Sequence, residues 1–263
     1  MPIHPSAGLR KLPEAEFGQL TYEVMDAVFK IHHEMGRLFD EAVYHQAVAR
    51  RVAEALVEVP VSVSFESYRK TYYLDLLVRG GALFELKAAA ATNDQHRSQL
   101  LNYLLLLELP HGKLVNFRGE HVEHEFVNAP LTHADRIQFD VEASRYSPSA
   151  TAGPDLSDLF VAILRDWGTG LDLRLYEEAL THFFGGEGLV VRPVDILDGD
   201  SRVGAQKLPL LVPDSALRIT ALNRDVERFE EQLNRFLRHT SLRTIQWVNV
   251  ARKLVSFRTL HRT

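Results

Sequence analysis

Between Tyr72 and Lys87 the chain reads Tyr-Tyr-Leu-Asp-Leu-Leu-Val-Arg-Gly-Gly-Ala-Leu-Phe-Glu-Leu-Lys. Asp75, Glu85 and Lys87 are set there among leucine, valine, phenylalanine and alanine. Charge in such apolar surroundings is costly unless it is paired or metal-bound. If two strands turn symmetrically about Gly80, residues whose numbers sum to 160 face each other, and Asp75 falls opposite Glu85. Opposed residues on one sheet face have Cβ atoms roughly 4.5–5.5 Å apart, close enough for two carboxylates to share a hard cation such as Mg²⁺. Glu85 and Lys87, two positions apart, share that face. The competing reading is an exposed outer face carrying an ordinary Glu–Lys pair, since Glu-x-Lys alone is a weak motif.

The elements that must position these residues are legible from periodicity. Phe17 to Met35 places Leu20, Val24, Ala27, Val28 and Ile31 on one helical stripe, and a second helix is expected from about Leu38 to Leu56, with Val48, Val52 and Leu56 among its inward residues. The period then changes to two. Val59, Val61, Val63 and Phe65 alternate with polar residues, and Thr71 to Val78 and Ala82 to Leu86 are short apolar runs, giving three strands. Asn93 or Asp94 caps a helix through Gln99 to Glu108, and Lys113 to Arg118 with His121 to Val127 form a hairpin about Gly119-Glu120. Two helices, three strands, a helix and two strands make an α/β layer domain.

Residues 147–154, Ser-Pro-Ser-Ala-Thr-Ala-Gly-Pro, read as a linker between a domain at 1–146 and another at 155–263. Beyond it the same order of elements returns. At an offset of 133, Gln99-Leu100-Leu101-Asn102-Tyr103-Leu104 lies over Gln232-Leu233-Asn234-Arg235-Phe236-Leu237; at 132, Gly36, Asp40, Tyr44 and Ala47 lie over Gly168, Asp172, Tyr176 and Ala179. This near-constant register points to a tandem duplication.

Composition narrows the classes of function. The 263 residues, 46% hydrophobic and 25% charged, suffice for two cores, each half burying roughly two-thirds of its unfolded surface. The absence of cysteine excludes thiolate zinc sites, iron–sulfur clusters, cysteine nucleophiles and disulfides. No signal-peptide pattern and no long apolar run occurs, so a cytoplasmic protein with no membrane association is expected. The net charge is −5, but from Asp214 onward ten Lys and Arg face five Asp and Glu, so this segment carries +5 and the remainder −10. There is no Gly-Lys-Ser/Thr phosphate loop, Gly-x-Ser-x-Gly elbow or His-Glu-x-x-His helix.

Five segments together, Ile31-His32-His33-Glu34-Met35-Gly36, Glu41-Ala42-Val43-Tyr44, Tyr73-Leu74-Asp75-Leu76-Leu77-Val78, Phe84-Glu85-Leu86-Lys87-Ala88 and His96 to Leu104, resemble the GxxExxY family of the PD-(D/E)xK nuclease superfamily over Leu20 to Phe126. Leu74 stands where the superfamily name has proline, and His33 where asparagine is commoner. The resemblance implies a restriction-endonuclease-like core, a mixed sheet flanked by helices, repeated in tandem. It implies Mg²⁺ or Mn²⁺ held by Asp75, Glu85 and the backbone carbonyl of Leu86, with Glu41 as an additional carboxylate. Lys87 would polarise the attacking water and stabilise charge on the phosphate, and Gln99 would orient the lysine or a phosphate oxygen. Tyr44 and Tyr103 read as packing and hydrogen-bonding positions, and His32 and His96 as structural residues.

In the second half the counterparts of Asp75, Glu85 and Lys87 are Leu208, Arg218 and Thr220, Glu41 falls on Leu173, and Gln99 on Gln232. That set cannot hold a cation, and an arginine would repel one. The expectation is a metal-dependent phosphodiesterase acting on nucleic acid, DNA rather than RNA, fused to a degenerate copy. Pseudo-symmetric contact of the halves or a protein partner accompanies this reading. The rival is a non-catalytic nucleic-acid-binding or protein-interaction scaffold that keeps the fold.

Overall fold

The computed structural model describes residues 3–149 and 153–262. The chain divides into two compact units, 1–133 and 134–263. In the first, β1 (Ile3–Pro5) precedes two helices, α1 (Glu14–Met35) and α2 (Glu41–Ala49). Strands β2 (Ala55–Phe65), β3 (Tyr68–Val78) and β4 (Ala82–Lys87) follow, then α3 (Asp94–Leu107), β5 (His111–Asn116) and β6 (Glu123–Asn128). The sheet order is β1-β2-β3-β4-β5-β6, with β4 and β5 parallel across α3 and the other neighbours antiparallel.

Each face of this sheet has its own covering. Leu76, Val78, Ala82, Phe84 and Leu86 join the buried residues of α1 and α2, including Leu20, Val24, Val28, Ile31, Tyr44 and Val48, in one core cluster. The alternate residues of β4, Leu83, Glu85 and Lys87, therefore face the other way. On that side Leu100 and Leu104 of α3 lie so near β5 that a Cβ at Gly112 would sit 3.0–3.1 Å from their methyl carbons. The three-residue β3–β4 loop has two residues of positive φ, Arg79 at 47° and Gly80 at 66°, and Gly81 N–H donates to Val78 O at 3.1 Å, a turn whose hand suits the twist of the flanking strands. Glycine is required at position 80: an added Cβ would lie 2.5 Å from the carbonyl oxygen of Gly8.

The second unit contains α4 (His133–Arg136), most of which lies beyond the division, β7 (Asp140–Arg145), α5 (Leu156–Trp167), α6 (Leu173–Phe183) and α7 (Glu187–Val190). It continues with β8 (Val191–Asp198), β9 (Ser201–Val212), β10 (Ser215–Thr220), α8 (Val226–Arg238), β11 (Thr244–Val250) and β12 (Leu254–His261). Its sheet order, β8-β9-β10-β11-β12-β7, repeats that of β2 to β6 through β12, including a parallel pair, β10 and β11, bridged by a helix. The sixth strands differ: β1 adds antiparallel to β2, whereas β7 adds parallel to β12.

Three expectations need correction. The second helix ends at Ala49, because 50–54 turn and Glu54 takes φ 56°; Leu56 lies in β2 and is exposed. The division between units falls at 133/134, so the first domain does not extend to 146: β7 pairs with β12 and belongs to the second sheet. The expected linker at 147–154 lies partly outside the described residues, at 150–152, and its start is anchored, with Ser147 N donating to Thr259 Oγ1 at 2.8 Å. No helix among the described residues is long and apolar enough to cross a membrane.

Candidate metal and catalytic centre

The β3–β4 ladder pairs Leu76 with Phe84, Leu77 with Leu83 and Val78 with Ala82, so each pair has the expected sum. It stops one pair short of Asp75 and Glu85. There the backbone N–H of Leu86 donates to Asp75 Oδ2 at 2.9 Å, so a carboxylate replaces the carbonyl that a continued ladder would supply. Past the end of the ladder Lys87 of β4 reaches both Asp75 of β3 and Glu41 of α2.

Lys87 is the hub. Its Nζ lies 2.6 Å from Glu85 Oε1, 3.1 Å from Asp75 Oδ2 and 3.3 Å from Glu41 Oε1. Glu41 is the first residue of α2, and its other oxygen accepts the N–H of Ala88 at 3.3 Å. Glu85 has no exposed surface, and its Oε2 has no hydrogen-bond partner among the described residues. Burial, reinforced by the charge of Asp75, pushes the Glu85 carboxyl up to about 8 despite Lys87. Burial works against the Lys87 ammonium, but Glu85 and Asp75 outweigh it and raise its pKa.

One cation facing three carboxylates leaves a deficit of positive charge at a half-buried spot. The donor chemistry fits a divalent ion: hard carboxylate oxygens, one of them buried without a partner, converge at this place. A ligand set is also preformed. Glu41, His45 and Asp75 each present one donor atom, all within 4.8 Å of one another.

His45 is the residue that sequence reasoning missed. It sits one helical turn beyond Glu41, buried, with Nε2 at 3.4 Å from Leu86 O, 3.9 Å from Asp75 Oδ2 and 4.0 Å from Glu41 Oε1. The available signal was the i,i+4 spacing of Glu41 and His45, which puts both on one helix face.

Glu41, Asp75, Glu85 and Lys87 thus come together. The Leu86 carbonyl borders the same spot through His45. Gln99 stands one residue removed: its Nε2 donates to the hydroxyl of Tyr103 at 3.2 Å. Tyr103 packs edge-on against Tyr72 at 5.7 Å, and burial followed by the charge of Glu85 pushes its phenol up to about 12. Tyr44 is a clasp: its hydroxyl donates to Gly36 O at 2.8 Å and accepts from Phe39 N at 3.3 Å, closing the bend between α1 and α2. His32 bonds Gly119 O at 3.1 Å, away from the carboxylates.

Residues 18–128 match the family model of the PD-(D/E)XK nuclease superfamily. No match is found among curated proteins. A solved structure titled "Crystal structure of SSO0001" is similar, with 20% identity and a TM-score of 0.30 over 46% of this chain and 61% of that one. The chain thus spans less than two-thirds of that relative's length. The first unit carries a domain of PD-(D/E)XK fold, a mixed sheet flanked by helices.

Proposed function

We propose that the first unit hydrolyses phosphodiester bonds of nucleic acid with Mg²⁺ or Mn²⁺, and that the second unit is a copy of the same fold that has lost the chemistry. The observation that carries the reading is the single Lys87 ammonium among Glu41, Asp75 and Glu85, with Glu85 Oε2 unpartnered. Asp75, Glu85, the Leu86 carbonyl, Glu41 and His45 would hold the ion. When bound, such an ion supplies Lewis acidity toward a phosphoryl oxygen and an acidified water.

The protein's own groups have separable parts. Lys87 keeps its proton, because Glu85 and Asp75 hold its pKa above the ordinary value; it acts as a donor to charge developing on the phosphate and not as a base. Its three N–H donors meet three carboxylates; a carboxylate drawn to a bound ion would release one donor to position an attacking water while the ammonium stays paired to another. The Glu85 carboxyl, pushed up to about 8 by burial and Asp75, would give up its proton in order to serve as a ligand. Gln99 acts through Tyr103, fixing the phenol whose charge environment includes Glu85. The repeated strand order supports the copy, and Leu208, Arg218, Thr220 and Leu173 at the counterpart positions supply the reason for its inactivity.

The test is hydrolysis of double-stranded DNA, single-stranded DNA and RNA by the full chain with Mn²⁺ or Mg²⁺, alongside calorimetric metal titration. Cleavage should fall on the order of a thousandfold in Asp75→Asn and Glu85→Gln, with weaker metal binding in both. Metal binding without hydrolysis of any of the three substrates would instead make the unit a non-catalytic platform.

A further inference from the structure

The second unit has a cleft of about 580 Å³ between α8 and strands β9, β10 and β11. Leu208, Arg218 and Gln232 line it, and these are the counterparts, at an offset of 133, of Asp75, Glu85 and Gln99. The pairing of Ala216 with Leu210, extended two residues along both strands beyond the last ladder pair, puts Arg218 opposite Leu208, as the β3–β4 register extended one residue beyond its last pair puts Glu85 opposite Asp75. The face that gathers carboxylates in the first unit thus carries a cleft in the second, with its chemistry reversed. No carboxylate lines the cleft, whereas two arginines, Arg218 and Arg235, do.

Both arginines are exposed and neither has an ion-pair partner among the described residues; the acid whose charge Arg218 feels is Glu177 of α6, which does not line the cleft. Elsewhere in this unit Arg145 and Arg258 are taken by Glu230, Arg202 by Asp195 and Arg243 by Asp214. Free guanidinium groups over an apolar floor suit a phosphate, which they can hold through paired N–H donors.

The floor suits a base. Phe229 and Phe236 project from α8 into the cleft seven residues apart, two turns along one face, with the Gln232 amide between them. Phe229 packs on Trp247 at 5.6 Å, but Phe236 has no ring partner among the described residues. Its counterpart in the first unit, Tyr103, is covered by Tyr72; the residue corresponding to Tyr72 is Ala205, so no ring covers Phe236, which is half-buried on the core and presents its remaining surface to the cleft. The volume lies in the range of small-ligand sites, roughly 300–1,000 Å³.

We propose that this cleft is a binding site for a nucleoside phosphate, its phosphate held by Arg218 and Arg235 and its base placed against Phe236 with Gln232 at the base edge. The site needs no metal and does not depend on hydrolysis by the first unit. The ligand can be a free nucleotide or the phosphorylated end of a strand, which share this chemistry.

Calorimetric titration of the full chain in EDTA with 2′-deoxyadenosine 5′-monophosphate tests it. One saturable site is expected, with adenosine and inorganic phosphate each binding more weakly. Arg218→Ala and Phe236→Ala should each weaken nucleotide binding on the order of tenfold. Arg218 is exposed, so its variant folds whatever the fate of the Phe236 variant. A 5′-phosphorylated tetranucleotide that binds more tightly than the mononucleotide identifies a strand end as the ligand; one that binds no better identifies the free nucleotide. No saturation up to about 10 mM, phosphate as tight as nucleotide, or an unchanged affinity in Arg218→Ala overturns the proposal. Hydrolysis assays play no part in these readouts, so failure here is distinguishable from failure of the nuclease reading.

Discussion

The two units share the order of five strands, differ in how the sixth is added, and diverge in chemistry at the end of one strand. In both, a tyrosine on the second helix reaches back to the glycine that ends the first. Tyr44 bonds Gly36 O and Phe39 N; Tyr176 bonds Gly168 O and Leu171 N, the latter two contacts at 2.5 and 3.2 Å. Both glycines have positive φ, 72° and 82°. The units part at the end of the central strand. Where Lys87 gathers three carboxylates, Thr220 accepts the indole N–H of Trp247 at 2.9 Å and donates to Asn249 Oδ1 at 2.8 Å, a neutral closure of the same position. The tyrosine clasp and the strand order thus persist with or without buried charge. The charged cluster is dispensable to the fold, which is why it reads as a site.

The largest contrast should come from removing the two hubs. Lys87→Met strips the ammonium from three carboxylates, one fully buried, and a broken buried pair of this kind costs about 3 kcal/mol or more. Thr220→Val leaves the Trp247 N–H without its acceptor, at about 1–2 kcal/mol. Both tryptophans, Trp167 and Trp247, lie in the second unit. Tryptophan fluorescence therefore follows the second unit, while hydrogen exchange at β3 and β4 follows the first. In urea and EDTA at pH 9, Lys87→Met should lower protection in the first unit and leave the fluorescence transition in place, and replacing the EDTA with Mg²⁺ should restore part of the loss. Equal movement of both signals would show that the cluster is not a local feature of the first unit.

A smaller effect distinguishes the units by pH. Below the ordinary carboxylate range, Glu85 is protonated in both folded and unfolded chains. As pH rises, the unfolded chain releases this proton first, while the native carboxyl keeps it until about 8. The native state then binds more protons, so its stability falls through this window and the loss is complete above it. Lys87, with its pKa raised, stays charged throughout. Glu85→Gln should remove this slope, on the order of 4 kcal/mol between pH 5 and 8 in EDTA, read as the difference between variant and parent by exchange in the first unit. A parallel pair of curves would mean that Glu85 is ionised in the folded protein at neutral pH.

Legibility followed the strength of the local physical signal. Symmetry about Gly80 between two apolar runs predicts the register of β3 and β4, whose ladder ends one pair before Asp75 and Glu85, and the stripe of α1 predicts Leu20, Val24, Ala27, Val28 and Ile31 as buried. Edge strands did not announce themselves. Ile3–Pro5 is too short for a period, and Asp140–Arg145 is largely exposed, so neither carries an apolar alternation. The second helix was extended too far because Val52 and Leu56 continue its stripe in sequence, whereas the chain turns at 50–54. His45 had only its spacing from Glu41; what makes it part of the cluster is proximity to Asp75 and Leu86, thirty and forty-one residues away in the chain.

The smallest expected effect is also the sharpest check on the likeness of the units. Tyr44→Phe and Tyr176→Phe each delete one hydroxyl that donates to a glycine carbonyl and accepts a backbone N–H. The rings would stay in place, Tyr44 stacked on Phe117 at 4.3 Å and Tyr176 beside Trp167 at 6.2 Å, so packing loss is minor. The cost is then that of two backbone groups deprived of a partner, about 1–2 kcal/mol. Both tyrosines are buried; the cost should be somewhat larger for Tyr176, whose two hydrogen bonds are buried, and smaller for Tyr44, whose bonds are part-buried beside the exposed Phe39. Each loss should appear only in the signal of its own unit, exchange for the first and tryptophan fluorescence for the second. A substantial cost at one tyrosine with none at the other would mean that the shared bend is held differently in the two units, and the similarity between them would reduce to strand order alone.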